Sequence, residues 1–124
     1  MPKRPKPLVL VVDDESEIRL ILRKFLEFLG YDVEEAGSGA DALNTALLLR
    51  PDAILLDHRL PDVEGFETYR NMTRAGLKIP TALMSGLPEF EVDTDGSELC
   101  RFLQKPISFD NLGEFMEQLL AEST

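Results

Sequence analysis

Two continuous apolar runs in this chain end on carboxylates. Leu8-Val9-Leu10-Val11-Val12 leads into Asp13-Asp14, and Ala53-Ile54-Leu55-Leu56 leads into Asp57. A short apolar run bounded by turn residues predicts a strand buried on both faces, as in a parallel sheet. Between these runs, Ile18, Ile21, Leu22, Phe25 and Leu29 recur at helical spacing, which predicts a helix from about Ser16 to Leu29. Gly30 is placed to stop it. A second strand is predicted from Tyr31 to Ala36, and a turn at Gly37-Ser38-Gly39. A second helix is predicted from Ala40 to Leu49, ending before Pro51. After Asp57, Leu60 to Gly65 reads as a loop and about Gly65 to Arg74 as a third helix that stops at Gly76. Fourth and fifth strands are predicted at Pro80 to Met84 and Leu99 to Leu103. The first ends at Ser85-Gly86, the second near Gln104-Lys105-Pro106. The last helix takes Ser108 as N-cap and carries Leu112, Phe115, Leu119 and Leu120 on one face.

Strand and helix therefore alternate five times. That order predicts an α/β domain with a parallel sheet covered by helices on both faces. One stretch breaks the rhythm. A fourth helix belongs between Ser85 and Lys105, yet Val92, Asp93, Thr94, Asp95 and Gly96 are all poor helix formers. A short, distorted or mobile helix is expected there. Residues 1–7, with three prolines and three basic side chains, read as a flexible tail. Residues 8–121 form the domain, and 122–124 a frayed end.

Composition narrows the function without naming it. The 124 residues fit one domain, and 44% hydrophobic with 29% charged residues is ordinary for a globular protein. A net charge of -10 argues against direct nucleic-acid binding. It suits a protein that meets basic or mixed partner surfaces. Cys100 is the single cysteine and reads as an apolar filler, so no internal disulfide forms and a cytoplasmic setting is expected. No apolar run reaches the roughly 18 residues of a membrane span, and the start of the chain is not a signal peptide.

The chemistry lies at the strand ends, which share one edge in a parallel sheet and form the edge where open α/β sheets bind ligands. The first strand brings Asp13 and Asp14, the third Asp57, the fourth Ser85 and the fifth Lys105. Two carboxylates about 4 Å apart repel by on the order of 1 kcal/mol in water and roughly four times that at an effective dielectric of 20. A divalent, oxygen-seeking cation such as Mg²⁺ offsets that repulsion. A carboxylate can also serve as a nucleophile, and phosphoryl transfer needs mainly positioning and charge neutralisation. His58, the single histidine, follows Asp57 directly; it reads as a surface or loop-packing residue rather than as a metal ligand or catalytic group.

These residues carry a family resemblance. Val11-Val12-Asp13-Asp14-Glu15, Leu55-Leu56-Asp57, Pro61-Asp62-Val63-Glu64-Gly65, Met84-Ser85-Gly86 and Phe102-Leu103-Gln104-Lys105-Pro106 fall at or just past strand ends. In that order the chain resembles the receiver domain of bacterial two-component response regulators, chemotaxis regulators included, over nearly its full length. The resemblance implies a flavodoxin-like five-stranded sheet in the order 2-1-3-4-5. It implies that Asp57 accepts a phosphoryl group from a sensor histidine kinase or a histidine phosphotransfer protein. Mg²⁺ or Mn²⁺ would be held by Asp14, Asp57 and the backbone carbonyl of Arg59, with Asp13 acting mainly through water. Ser85, Gly86 and Lys105 would hold the phosphoryl oxygens. Ser85 and Phe102 would switch an output surface, and Lys105-Pro106 is expected to be cis. The protein would catalyse only its own phosphorylation and dephosphorylation. It would act as a monomer or a phosphorylation-dependent dimer on an output partner that the residues do not identify.

Two departures matter. Arg59 and Leu87, each two residues past a site residue, bring a cation and an apolar group to the rim. They are expected to screen the phosphoryl charge and limit water access, giving a long-lived phosphoprotein. The weak fourth helix puts the usual output face in doubt, and phosphorylation is expected to order that segment. No output domain follows Thr124, so a direct transcription factor is not expected. Two other function classes compete. A Mg²⁺-dependent phosphatase with an aspartyl nucleophile would want a second acid where Arg59 stands. A pseudo-receiver that binds partners without phosphorylation would not need the full acid and lysine set.

Overall fold

The computed structural model describes residues 4–92 and 99–121. Its elements are β1 (Leu8–Val12), α1 (Ser16–Phe28), β2 (Asp32–Ala36), α2 (Gly39–Leu49), β3 (Ala53–Asp57), α3 (Gly65–Arg74), β4 (Thr81–Ser85), a 3₁₀ turn (Glu89–Glu91), β5 (Cys100–Gln104) and α4 (Phe109–Ala121). The five strands are parallel, in the order β2-β1-β3-β4-β5. The alternation predicts such a doubly wound parallel sheet, and the strand order is the flavodoxin-like one that the family resemblance implies.

Strand alternation splits the core in two. Leu10, Val12, Ile54, Leu56 and Leu83 face α2 and α3 and meet Ala42, Ala46, Tyr69 and Met72. Val9, Val11, Ala53, Leu55 and Met84 face the other way, against Leu22 and Leu26 of α1 and Leu112, Met116 and Leu119 of α4. All five positions of β1, β3 and β4 are buried, which explains why β1 and β3 read as continuous apolar runs up to their carboxylates. β2 and β5 lie at the sheet edges and are partly exposed.

Helix ends follow local rules. Gly30 and Gly76 have φ of 101° and 87° and close α1 and α3. In each case the next amide reaches back to the last turn, Tyr31 to the Leu26 carbonyl and Leu77 to the Met72 carbonyl, both at 3.0 Å. α2 ends without glycine. Arg50 takes φ 47° before Pro51, and the Arg4 guanidinium donates to the carbonyls of Leu49 and Arg50 while pairing with Asp52 at 3.2 Å. Arg4 lies in the basic stretch 1–7, so the described part of that stretch is anchored on the domain.

Between β4 and β5 the described chain holds one 3₁₀ turn and no α-helix. Residues 93–98, the weakest part of the expected fourth helix, lie outside the described residues. No helix among the described residues is long and apolar enough to cross a membrane.

Candidate functional site

The ends of β1, β3 and β5 bring Asp13, Asp57 and Lys105 into direct contact. The Lys105 ammonium lies 3.3 Å from Asp13 Oδ2 and 3.3 Å from Asp57 Oδ1. Asp13 is fully buried, Asp57 is 8% exposed, and Asp14 is exposed beside them. One carboxylate oxygen from each of the three aspartates lies within 4.8 Å of the other two.

Each group is held by the chain around it. The Asp13 amide donates to the Ala36 carbonyl at 3.1 Å, and Asp13 Oδ1 accepts from the Glu15 amide at 2.9 Å. The nearby Arg59 backbone amide slightly favours the charged form of the Asp57 carboxylate. Gly65 opens α3 directly against the end of β3; a Cβ there would stand 2.2 Å from the Asp57 carbonyl oxygen, so the close approach requires glycine. Ser85 is buried, and its hydroxyl accepts from the Leu87 amide at 3.0 Å. Its carbonyl accepts from the Lys105 amide at 2.7 Å and the Gln104 side-chain amide at 3.1 Å. The Lys105–Pro106 peptide is cis. Gly86 is exposed beside Ser85, and Phe102 is half-buried against the α2/α3-side core. Leu87 packs half-buried against that same core.

The electrostatics reflect crowding. Burial first and Asp13 second push the Asp57 carboxyl above its ordinary value, against the pull of Lys105. For Lys105, burial favours the neutral form, but Asp57 and Asp13 outweigh it and the ammonium is held above its usual range. Like charges packed around one ammonium, with an exposed third carboxylate at the mouth, form a hard-oxygen donor set of the kind a divalent cation takes.

Some sequence-level candidates lie elsewhere. His58 lines a cavity of about 500 Å³ between α3 and the 3₁₀ turn, together with Phe66, Arg70 and Val92. Cys100 is buried, and burial pushes its thiol up to about 12. Sequence reasoning missed Asp62 as a helix cap. Its two oxygens accept from the Gly39 and Ala40 amides at 2.8 and 2.9 Å, joining the α3 entry loop to the start of α2. These amides hold its carboxyl below the usual range. It also missed Arg19, whose guanidinium donates to the Asp13 carbonyl at 2.6 Å.

The family model described as response regulator receiver domain matches residues 9–117. The chain belongs to the response regulator receiver domain family. Among curated relatives, response regulator MprA of Mycolicibacterium vanbaalenii is 33% identical over 118 residues, 94% of this chain. The chain spans about half the length of the curated relatives it matches, 51% in that case. Chemotaxis protein CheY4 of Vibrio cholerae superposes with a TM-score of 0.84 at 27% identity, covering 92% of this chain and 98% of that one. A receiver domain of a Pseudomonas aeruginosa sensor histidine kinase, solved with a magnesium ion coordinated in its active site cleft, gives a TM-score of 0.81 at 26% identity. It covers 94% of this receiver and 98% of its own chain.

Proposed function

We propose that this receiver is a phosphorylation switch. Asp57 takes a phosphoryl group from the phosphohistidine of a sensor histidine kinase or a histidine phosphotransfer protein. The observation that carries this reading is the Lys105 ammonium, 3.3 Å from both Asp57 and Asp13. A buried nucleophile is thus paired with a cation poised to follow new negative charge.

In the reaction an Asp57 carboxylate oxygen forms a bond to phosphorus as the phosphorus–nitrogen bond of the donor histidine breaks, and the imidazole leaves. Lys105 turns from the carboxylates to a phosphoryl oxygen, and Asp13 keeps it close. The Ser85 hydroxyl gives up its contact with the Leu87 amide to donate to a second phosphoryl oxygen, and the Gly86 amide assists. Asp14, Asp57 and the Arg59 carbonyl would hold Mg²⁺ or Mn²⁺, with Asp13 acting through water; bound there, the ion supplies neutralisation of phosphoryl charge. Movement of Ser85 opens space that the half-buried Phe102 can enter, which changes the exposed face around β5. The protein acts on itself rather than turning over a substrate. It works in the cytoplasm, as a monomer or a phosphorylation-dependent dimer, on a protein partner and not on nucleic acid.

Beryllofluoride, which mimics a phosphoryl group on a carboxylate, tests this directly. The amide resonances of Asp57, Ser85, Gly86 and Lys105 should shift only when Mg²⁺ is also present, and not in Asp57→Asn. Unchanged resonances with Mg²⁺ and beryllofluoride together would overturn the reading.

A further inference from the structure

Arg19 lies on α1, five residues past Asp14, and its role is set by the groups it holds. Its Nη1 donates to the Asp13 carbonyl at 2.6 Å, and its Nε donates to Glu35 Oε1 at 3.0 Å. The other Glu35 oxygen accepts from Arg23 Nε at 2.7 Å. Glu35 lies on β2, the neighbour of β1. The Arg23 hydrogen bond, with help from Arg19, holds the Glu35 carboxyl below its usual range despite partial burial. The guanidinium is therefore clamped between a strand carboxylate and one peptide group at the site.

That peptide joins Asp13 to Asp14. The Asp13 side chain is fixed independently, by the Glu15 amide and Lys105. The Asp14 carboxylate is exposed, and among the described residues no hydrogen bond or ion pair holds it. Its direction therefore depends on its own rotamer and on how the Asp13–Asp14 peptide is held. We propose that Arg19 is a positioning residue for the metal-binding acids. By gripping the Asp13 carbonyl it fixes this peptide and aims Asp14 at the space shared with Asp13 and Asp57, while Glu35 holds the guanidinium in place. The proposal rests on the divalent-cation reading of the site.

The charge of Arg19 and its grip act on cation affinity with opposite signs. A nearby positive charge repels an incoming cation, so losing charge alone would tighten binding. Losing a group that orients metal ligands loosens binding, commonly by roughly tenfold or more. Arg19→Lys keeps the charge but removes the planar fork that spans a carbonyl and a carboxylate. Glu35→Gln leaves Arg19 intact and loosens only its anchor.

Mg²⁺ titrations of the full chain by calorimetry and by amide NMR separate these effects. Each variant is measured well below its own melting midpoint. Arg19→Lys and Arg19→Met should both weaken Mg²⁺ binding by about tenfold, and Glu35→Gln by a smaller factor in the same direction. The Asp14 amide nitrogen should shift in each variant before any metal is added, which a general loss of stability would not produce. Arg19→Lys binding Mg²⁺ within twofold of wild type, or Arg19→Met binding more tightly, would overturn the proposal while leaving the metal reading intact. A wild-type chain that binds no Mg²⁺ would overturn both.

Discussion

Replacing Asp57 with asparagine should stabilise the metal-free protein, although it removes one side of an ion pair. The opposing forces can be worked from the geometry. At 3.3 Å and an effective dielectric of 20, attraction between Asp57 and Lys105 is about 5 kcal/mol. Repulsion from Asp13, with oxygens no more than 4.8 Å apart, is at least about 3.5 kcal/mol on the same scale. Asp14 is exposed and adds about 1 kcal/mol at the dielectric of water. These nearly cancel, so burial of the charged carboxylate, several kcal/mol for an ion in a protein interior, decides the sign. Asparagine keeps the shape without the charge. Burying the neutral amide still costs about 1–3 kcal/mol, so the net gain is about 1–2 kcal/mol, or roughly 4–8 °C in Tm for a domain of this size.

The pH dependence checks the cause. The native Asp57 carboxyl sits above its ordinary value, so the unfolded chain ionises first as pH rises. Between the two pKa values the native state binds more protons, and wild-type stability falls. The advantage of Asp57→Asn should therefore be absent below the ordinary carboxylate range, grow through it, and level off once native Asp57 is ionised. Thermal melts with chelator present, across pH 3 to 8 (on the order of one melt per unit), measure it. Adding Mg²⁺ should raise Tm more in wild type than in the variant. An Asp57→Asn protein no more stable than wild type at neutral pH without metal would refute the reasoning, because Lys105 would then outweigh burial and repulsion together.

Other expectations follow from single contacts. Gly65→Ala places a methyl carbon 2.2 Å from the Asp57 carbonyl oxygen, against backbone that cannot yield cheaply. It should cost about 3 kcal/mol or more in a denaturant melt, and a near-neutral result would show that the backbone at the α3 entry yields readily. The depressed Asp62 carboxyl contributes stability above the ordinary carboxylate range and loses it as pH falls through the lower native value. Asp62→Asn should thus lower Tm at neutral pH and match wild type in strong acid; a constant deficit at all pH values would exclude its charged cap. Leu87→Ala opens the apolar flank of the turn after Ser85. It should speed loss of the phosphoryl group by several-fold, read by the decay of phosphorylated mass; an unchanged rate would remove Leu87 as a barrier to water.

Legibility of the fold in the sequence varied with burial. β1 and β3 stood out because every position is covered, whereas the edge strands gave weaker patterns. Starts of β4 and β5 were displaced by one residue. Pro80 has no amide to donate, so β4 begins at Thr81, although the Pro80 carbonyl still accepts from Ile54. At the far end, Ser85 pairs with Gln104 and extends both strands past their apolar runs. The acids, serine and lysine of the site were readable because a parallel sheet gathers its strand ends on one edge. The groups that hold them were not. Arg19 reaches a main-chain carbonyl, and Asp62 caps a helix that begins 23 residues earlier in the chain. Such contacts leave no periodicity, and the residues that make them look like any surface charge.

The central claim is that Asp57 accepts a phosphoryl group with the help of a divalent cation. Intact mass after incubation with acetyl phosphate tests it most directly, with Mg²⁺ and with chelator, in wild type and Asp57→Asn. The account predicts one phosphoryl adduct in wild type with Mg²⁺, and none with chelator or in the variant. An adduct that persists in Asp57→Asn, or wild-type chain that stays unmodified both with acetyl phosphate and with a phosphorylated histidine donor in the presence of Mg²⁺, would contradict it.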